Sequence, residues 1–448
     1  MLRVAVVGSG PSGVYTAQSL VQREPGVLVD VLDRLPCPYG LVRYGVAPDH
    51  EKIKSLQNNL RTVLEHERVR FLGGVPVGPG GLSTVRLREL YDAVVYCVGA
   101  ATDRHLGIPG EELPGSWSAT EFVSWYSAHP DATADGFALG ARSAVVIGVG
   151  NVAVDVTRIL ARGTAELSRT DIPQAALTAL AASGVTDIHM VGRRGPSQAR
   201  FTTKELRELG GLPDTEVIVD PAELALDPAC QDLAALPAAQ RRNVETLRGW
   251  AALPSSGAAR RIHLRFFLRP VELLAAAGQV GTVRFERTAP DGRGGVLGTG
   301  RPVDIEAQLV LRSVGYRGVP LDGLPFDAEL GVVPHQFGRV LREGRPAPGE
   351  YVAGWIKRGP TGVIGTNRPD AKETVTSLLE DAPALAPGEA SADPLAALRA
   401  EGIEPVEWSG WEAIERAEAE LGASLGRGGV VKLPDWEALL AAVRGSHT

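Results

Sequence analysis

This chain of 448 residues has little cysteine, no excess of basic residues and no long apolar run. The three cysteines, Cys37, Cys97 and Cys230, form no C-x-x-C pair. This excludes a dithiol redox centre of the usual spacing and an iron–sulfur cluster held by this chain alone. So few cysteines predict a reducing compartment, and we expect the cytoplasm. The net charge of −7 argues against a nucleic-acid-binding protein, which normally carries a basic excess.

No apolar run approaches the roughly 18 residues that a membrane-spanning helix needs. Residues 2–7 are apolar and β-branched, so a buried strand is predicted from the second residue, and we expect no cleavable leader. The hydrophobic content of 44% is ample for buried cores. At roughly 150 residues per domain, the length predicts two to three domains.

A G-x-G-x-x-G turn follows this strand and precedes a helical pattern at residues 14–23. In this context the motif is typical of dinucleotide binding. Gly8 permits the tight turn, Gly10 lets a pyrophosphate approach the backbone, and Gly13 lets the helix pack closely on the strand. The helix N-terminus would then supply free N–H groups and partial positive charge to the phosphates.

The strand predicted at residues 27–32 ends in an acid, Asp33. A carboxylate at this strand end can accept hydrogen bonds from an adenosine ribose. The alternative is a purely structural glycine turn followed by a solvated aspartate.

A second turn, G-x-G-x-x-A at residues 148–153, follows a predicted strand at 143–147. The next predicted strand, 188–191, runs into Gly192 and two arginines, Arg193 and Arg194. Guanidinium groups suit a 2′-phosphate, which a carboxylate would repel, so this half is predicted to bind NADP(H) rather than NAD(H). The alternative is an exposed pair of loop arginines.

The rest of the chain is organised around these two turns. Residues 161–183 are predicted as an inserted or lengthened helical segment. Two apolar strands that end at Gly99 and Gly315 are interpreted as the crossings between domains, so the second domain is inserted into the first. Further predicted strands span 69–72, 93–98, 262–268 and 308–314, and residues 292–300 are predicted as a hairpin tip.

Residues 354–367 are dense in glycine and precede a helix predicted at about 370–379. Such a segment can lay backbone amides and a helix N-terminus against a flat, electron-rich ring. The tail from 383 to 448 has helical patterning, and we expect its three tryptophans, Trp408, Trp411 and Trp436, to be packing anchors.

These motifs together resemble the adrenodoxin reductase type of ferredoxin–NADP⁺ reductase over nearly the whole chain. The most specific runs are PYGLVRYGVAPDH at 38–50, GRRGPSQARFTTKELREL at 192–209, and residues 351–367. The resemblance implies an α/β fold with two Rossmann-like dinucleotide-binding domains, the NADP(H) domain (105–317) being inserted into the FAD domain (1–104 and 318–448). It also implies a monomer that passes a hydride from NADPH to N5 of a non-covalently bound FAD. The electrons then leave one at a time to a ferredoxin-type iron–sulfur protein.

The resemblance also implies the residues of each site. The FAD contacts are expected at Gly8, Gly10, Ser12, Gly13, Asp33, Leu41, Val77, Trp355, Gly362, Val363 and Ile364. The NADP(H) contacts are expected at Val149, Gly150, Asn151, Val152, Arg193, Arg194, Glu205 and Gly362. His50 and Glu208 are expected as a catalytic polar pair near the nicotinamide and the flavin, where they would orient the nicotinamide or relay a proton; the alternative is a plain surface ion pair.

This chain departs from the family pattern at three positions. Asp33 stands where the family usually has glutamate, which shortens its reach to the ribose. Arg200 adds charge on the NADP(H) side. Trp355 stands where many other two-domain flavoproteins place aspartate, which favours this family over the disulfide reductases.

A basic span predicts where an acidic partner would dock. Seven arginines face only Glu245 in this span: Arg241, Arg242, Arg248, Arg260, Arg261, Arg265 and Arg269. They would steer an acidic ferredoxin in a salt-dependent way, unless they are merely solvated. Three other functions stay open: another NADPH-dependent flavoenzyme such as a monooxygenase, an electron-input subunit of a larger synthase, or a slow nucleotide-dependent redox sensor.

Overall fold

The structure, a computed structural model, describes residues 2–132, 137, 139–385 and 393–445. It divides into two compact units. Unit 1 comprises Met1–Thr102, Ser127–Asp131 and Gly315–Thr448, and unit 2 comprises Asp103–Tyr126 and Ala132–Val314. Because unit 2 lies within the sequence of unit 1, the chain has the inserted arrangement expected from its sequence. The domain limits predicted at 104 and 317 and the assignment of one cofactor to each unit stay predictions.

The strands of the described residues, numbered in chain order, are β1 Arg3–Val7, β2 Leu28–Leu32, β3 Val69–Leu72, β4 Ala93–Tyr96, β5 Thr102–Asp103, β6 Ser116–Ser118, β7 Ser143–Ile147, β8 Asp187–Val191, β9 Thr215–Val219, β10 Arg260–Arg265, β11 Leu268–Ala276, β12 Gln279–Pro290, β13 Val296–Glu306, β14 Leu309–Arg312, β15 Tyr316–Arg317, β16 His335–Gln336, β17 Arg339–Arg342 and β18 Arg345–Val352.

The α-helices are α1 Pro11–Arg23, α2 Leu41–Tyr44, α3 Glu51–Lys54, α4 Leu56–Leu64, α5 Thr84–Leu90, α6 Ala119–Tyr126, α7 Asn151–Ala161, α8 Thr164–Leu167, α9 Gln174–Ala181, α10 Thr203–Leu209, α11 Pro221–Ala225, α12 Ala238–Ala251, α13 Trp355–Arg358, α14 Asn367–Asp381, α15 Pro394–Ala400, α16 Trp408–Ser424 and α17 Trp436–Gly445. None of these is long and apolar enough to cross a membrane.

Unit 1 is built on a seven-stranded sheet of order β16-β17-β18-β4-β1-β2-β3. The strands from β18 to β3 are parallel, whereas β16, β17 and β18 pair in antiparallel fashion. Apolar residues alternate between the two faces, so that Val4 and Val6 lie in one core cluster while Ala5 and Val7 lie in another. Helices α1 and α14 pack together on the first of these faces. Because β1 is buried on both faces of the sheet, it is almost wholly apolar.

Unit 2 is built on a six-stranded parallel sheet of order β6-β14-β7-β8-β10-β9. A separate antiparallel sheet, β11-β12-β13, contributes Leu273, Val283 and Phe285 to a core that includes Val145 and Val310 of the parallel sheet. The mainly parallel sheet of unit 1 and the parallel sheet of unit 2, each with a glycine turn after one of its strands, confirm the predicted α/β fold.

Several predicted elements need new limits. The strand predicted at 262–268 is wrong at its end, because Phe267 adopts the left-handed conformation (φ 57°) and separates β10 from β11. The hairpin tip predicted at 292–300 is shorter, since β13 already begins at Val296. The helix predicted at 14–23 begins at Pro11, and the one predicted at 370–379 spans Asn367–Asp381.

The two helical predictions outside the glycine turns are confirmed in part. The segment 161–183 contains the end of α7 and the short helices α8 and α9. The tail contains α15, α16 and α17, and its residues 386–392 and 446–448 lie outside the described part. Trp411 is 1% exposed and meets Tyr39 edge-on, and Trp408 and Trp436 pack against the same core. The tryptophans therefore act as packing anchors, as expected.

Candidate functional site

The first glycine turn leaves no room for a side chain at Gly8 or Gly13. A Cβ on Gly8 (φ 110°) would lie 2.5 Å from the carbonyl oxygen of Cys97, and one on Gly13 would lie 1.8 Å from the carbonyl oxygen of Gly8. At Gly10 the nearest atom would be 3.8 Å away, so this side of the turn is open. Gly10 caps α1 without a side-chain hydrogen bond, which leaves the first N–H groups of the helix available to an anion.

The hydroxyl of Ser12 adds a polar group to this turn. Its Oγ is buried and has no hydrogen-bond partner among the described residues. A Cβ on Gly354 (φ 82°) would lie 2.4 Å from that Oγ, so glycine is required where the later segment passes over the turn. An unsatisfied buried hydroxyl beside a helix N-terminus fits the oxygen atoms of a pyrophosphate.

Asp33 follows β2 and turns its carboxylate back toward the glycine turn. It accepts hydrogen bonds from the Ser9 N–H (2.8 Å), the Ser9 hydroxyl (2.5 Å) and the Leu35 N–H (2.9 Å). Burial raises the pKa of the Asp33 carboxyl above its ordinary value, and these hydrogen bonds oppose the rise. Asp33 thus braces the turn, a role that the sequence analysis missed, and its contact with a ribose stays a prediction.

The segment 39–44 lies against the same turn. The Tyr39 N–H donates to the carbonyl oxygen of Ser9 (3.1 Å), and a Cβ on Gly40 would lie 3.0 Å from Cα of Gly10. Leu41, a predicted flavin contact, begins α2 and is 41% exposed. The fold therefore places the exposed, apolar side chain of Leu41 beside the first glycine turn, residues 8–13, which we call the phosphate turn.

Two other predicted site residues of unit 1, Val77 and His50, lie in connecting segments, after β3 and just before α3 respectively. Val77 is half-buried and forms an isolated bridge with Leu82 after β3. His50 is buried and caps α3, where its carbonyl oxygen accepts the N–H groups of Ile53 and Lys54.

The glycine-rich segment after β18 is fixed by one carboxylate that the sequence analysis did not single out. Asp370 in α14 accepts the Gly354 N–H (2.5 Å) and pairs with Lys357 (3.1 Å) and Arg358 (3.0 Å). Trp355 packs at a tilt against Tyr316, with ring centroids 5.3 Å apart.

The end of this segment carries three predicted flavin contacts. Gly362 has a left-handed φ of 85°, and Val363, which is 67% exposed, donates its N–H to the Thr366 hydroxyl (3.1 Å). Ile364 is half-buried and opens the single 3₁₀ turn that runs into α14. The start of α14 thus lies directly after an exposed, glycine-rich apolar edge.

The second glycine turn, in unit 2, has the same geometry. A Cβ on Gly148 (φ 142°) would lie 2.2 Å from the carbonyl oxygen of Ser313, whereas one on Gly150 would meet nothing within 4 Å. Asn151 accepts the Thr202 N–H through Oδ1 (2.8 Å), which ties the start of α7 to the loop before α10. This turn is also open on its ligand side.

Three arginines form a positive cluster after β8: Arg193, Arg194 and Arg200. Within the described ranges, none of them has a carboxylate at ion-pair distance. Burial, and then the charges of Arg200 and Arg193, lower the pKa of the Arg194 guanidinium. The Arg200 N–H donates to the carbonyl oxygen of Val149 (2.8 Å), and the Thr288 hydroxyl donates to that of Arg193 (2.8 Å). Unpaired guanidiniums held on fixed backbone fit a dianionic phosphate.

The predicted acids of unit 2 share a buried arginine. Arg158 of α7, 1% exposed, lies 3.2 Å from Glu208 and 3.8 Å from Glu205, and it also pairs with Asp155 (2.9 Å). The sequence analysis missed Arg158, although the i, i+3 pair with Asp155 was visible in the helix pattern.

Only some arginines of the predicted basic span lack an ion-pair partner among the described residues. Arg241 and Arg242 on α12 have no ion-pair partner among the described residues, and Arg248 donates to the carbonyl oxygen of Cys230. Three arginines of the span pair with carboxylates instead: Arg261 with Asp187, Arg265 with Glu223 and Arg269 with Glu286. The expectation that the span faces only Glu245 is therefore wrong, because α11 and the neighbouring strands supply acids from elsewhere in the sequence.

Comparison with known proteins gives full-length likenesses. The family model for pyridine nucleotide-disulphide oxidoreductases matches residues 2–194. The chain is 41% identical to the mitochondrial NADPH:adrenodoxin oxidoreductase of Arabidopsis thaliana, over 98% of this chain and 95% of that protein. It is 44% identical to the NADPH-ferredoxin reductase FprA of Mycobacterium tuberculosis, over 93% and 94%. A solved structure of M. tuberculosis FprA in complex with NADPH superimposes with a TM-score of 0.91 at 42% identity and covers both chains completely.

Proposed function

The chain belongs to the adrenodoxin reductase-type ferredoxin–NADP⁺ reductases, and on that premise we propose that it is an enzyme that passes electrons from NADPH to a ferredoxin-type iron–sulfur protein. Its cofactors are FAD and NADP(H). When bound, FAD would supply the chemistry that links a hydride donor, NADPH, to an acceptor that takes one electron at a time.

The observation that carries this proposal is the contrast between the two glycine turns. In unit 1, the acid Asp33 follows the second strand, and a carboxylate there repels a 2′-phosphate. In unit 2, the corresponding strand is followed by the arginine cluster of Arg193, Arg194 and Arg200, which attracts one. We therefore assign FAD to unit 1 and NADP(H) to unit 2.

The residues of unit 1 then have separate tasks. The turn at Gly8, Gly10 and Gly13, with the Ser12 hydroxyl, holds the pyrophosphate, and Asp33 braces it and faces the ribose. The flavin ring would be lined by Leu41, Val77, Trp355, Gly362, Val363 and Ile364. The positive end of the α14 helix dipole would stabilise negative charge on the ring by about 0.3–1 kcal/mol, and by more where water is excluded.

The residues of unit 2 hold the nicotinamide nucleotide. Its pyrophosphate would meet the turn at Val149, Gly150, Asn151 and Val152, and its 2′-phosphate would meet Arg193 and Arg194. Glu205 and Glu208, both held by Arg158, would face the nicotinamide end. His50 and Glu208 orient the nicotinamide or carry the flavin proton; the hydride transfer itself needs no acid or base on the protein.

We place the partner at two arginines of α12, the half-buried Arg241 and the exposed Arg242, with Arg248 beside them. Unpaired positive charge attracts an acidic ferredoxin over long range and raises its association rate at low salt. The paired arginines Arg261, Arg265 and Arg269 contribute little to this field, because their charges are neutralised locally.

Reduction of cytochrome c through an added ferredoxin tests the proposed function. We expect NADPH to support a rate that depends on ferredoxin, and NADH to support much less. Rapid reduction of ferricyanide with no ferredoxin-dependent rate for any acidic ferredoxin would contradict the proposed acceptor. Negligible turnover with both acceptors would instead favour a nucleotide-dependent sensor.

A further inference from the structure

The segment 39–44 has a backbone that needs outside support. Tyr39 is a non-glycine residue with a left-handed φ of 82°, and Gly40 follows with a φ of 48°. Such conformations are costly and persist only where the surrounding structure fixes them. Because this segment touches Ser9 and Gly10 of the phosphate turn and carries Leu41, its position decides the shape of one wall of the predicted FAD site.

The support comes from the C-terminal tail. Arg43 donates to both carboxylate oxygens of Glu418 in α16, from Nη1 to Oε2 at 3.1 Å and from Nη2 to Oε1 at 2.5 Å. Both side chains are almost fully buried, at 5% and 3% exposed. Oε1 of Glu418 also accepts the Leu433 N–H (3.0 Å), so the carboxylate joins three parts of the chain.

A second residue of the tail, Lys432, binds the same segment. Lys432, which is 2% exposed, donates its ammonium to the carbonyl oxygen of Arg43 at 2.6 Å. The Arg43 guanidinium lies 5.0 Å from the ring of Trp411, and Trp411 meets Tyr39 edge-on with centroids 5.8 Å apart. We call Arg43, Glu418, Lys432 and Trp411 the tail clamp.

The chemistry of the tail clamp favours positioning over stability. A buried ion pair pays a large desolvation penalty and is often no more stable than an apolar replacement. Removing one partner, however, leaves a buried charge unpaired, so the pair enforces one geometry strictly. Fixed geometry is what a wall of a cofactor site requires.

We propose that Glu418 is a positioning residue for the flavin site: through Arg43 it holds the segment 39–44 on the phosphate turn and thereby slows the release of FAD. The inference rests on the proposed function, since it takes unit 1 to be the FAD site. It gives the C-terminal helices a part in cofactor retention, although they bear none of the residues predicted to touch FAD.

The test compares Glu418→Gln with Glu415→Gln in the full-length holoenzyme. Glu415 lies on the same helix and pairs with Arg61 (2.7 Å), outside the tail clamp. FAD release is followed by the recovery of free-flavin fluorescence, at temperatures equally far below the melting temperature of each variant. We expect Glu418→Gln to release FAD about tenfold faster or more, as loss of a charged hydrogen bond predicts, and Glu415→Gln to change the rate by less than about twofold.

A second variant covers the case in which Glu418→Gln fails to fold. Lys432→Met keeps the Arg43–Glu418 ion pair but removes the hydrogen bond to the Arg43 carbonyl oxygen and the cation–π contact with Tyr44, and it too should accelerate FAD release. In both variants KM for NADPH should stay within about twofold of the wild-type value, since the predicted 2′-phosphate contacts lie in unit 2.

The inference is overturned if the folded clamp variants release FAD at the wild-type rate, or if Glu415→Gln accelerates release as much as they do. The proposed function fails in a different way, namely if the wild-type protein itself binds no FAD.

Discussion

The carboxylate of Asp33 accepts both the backbone N–H and the hydroxyl of Ser9, at 2.8 and 2.5 Å. This acid therefore shapes the phosphate turn before any ligand arrives. Its shorter side chain, where the family usually has glutamate, is matched by a partner inside the turn.

Replacing Asp33 with Ala should weaken FAD binding, because the Ser9 N–H loses its acceptor and the turn is no longer braced. A charged hydrogen bond contributes about 1.5–3 kcal/mol, so the dissociation constant should rise by about ten- to a hundredfold. Titration of the apoprotein with FAD, followed by flavin fluorescence, measures this. Asp92→Ala is the control, since Asp92 braces the other end of β1 through the Arg3 N–H (2.7 Å); equal losses in the two variants would count against a specific role of Asp33.

The double substitution of Arg193 and Arg194 with Ala should weaken NADPH binding by a few powers of ten and leave NADH binding nearly unchanged. The reason is that the two guanidiniums have no acid to neutralise them and are free for a 2′-phosphate. KM for the two nucleotides, measured side by side with Arg301→Ala as a surface control, checks this. An unchanged preference for NADPH would mean that the 2′-phosphate binds elsewhere.

His50→Gln and Glu208→Gln should each slow hydride transfer by about tenfold if these residues orient the nicotinamide. Stopped-flow bleaching of the flavin by NADPH isolates this step from ferredoxin binding. His66→Gln, in the turn before β3, serves as the control. A wild-type hydride-transfer rate together with a wild-type flavin potential in the His50 and Glu208 variants would leave the two residues with no part in catalysis.

Reversing the charge of Arg241 and Arg242 to Glu should lower the ferredoxin-dependent rate at low salt, and the difference should shrink as salt rises. Direct reduction of ferricyanide should not change, because it needs no docked protein. Reversal of two other exposed arginines of unit 2, Arg293 and Arg301, to Glu controls for net charge. A ferredoxin-dependent rate equal to that of the wild type at low salt would place the dock elsewhere.

Stability should fall between about pH 6.5 and pH 4 because of two stacked histidines in unit 2. The rings of His189 and His263 lie 4.3 Å apart, beside Asp187, Arg261 and Arg265. Burial, helped by His263 and Arg265, lowers the pKa of His189 from 6.5 to about 4, and burial also lowers that of His263. The unfolded chain therefore binds protons first as pH falls.

Over this pH range, the protonation of His189 alone lowers the free energy of unfolding by at most about 3 kcal/mol. Urea unfolding of wild type and His189→Gln at pH 7 and pH 5 measures the effect. The wild type should lose more stability than the variant over this interval, and identical losses would show that His189 does not titrate as its surroundings predict.

Features that depend on neighbours in sequence could be predicted from the sequence. The two glycine turns are local patterns of strand, turn and helix, so their positions followed from spacing. The arginines after β8 were equally local, because they follow that strand almost directly in the sequence. The end of β10 was missed, since a left-handed Phe267 carries no composition signal.

Long-range pairings could not be predicted. Glu418 lies 375 residues from Arg43, and no local pattern pairs an acid in the tail with an arginine near the start. Arg158 looked like an ordinary helix arginine until the fold brought α10 beside α7. The basic span was expected to carry more unpaired charge than it does for the same reason: the carboxylates that pair with its arginines come from other elements.

The visible spectrum of the purified protein tests the central claim most directly. The account predicts flavin absorption bands that bleach on anaerobic addition of NADPH and return when an oxidised ferredoxin is added. A protein that stays colourless after incubation with FAD, or flavin bands that NADPH does not bleach, would contradict it.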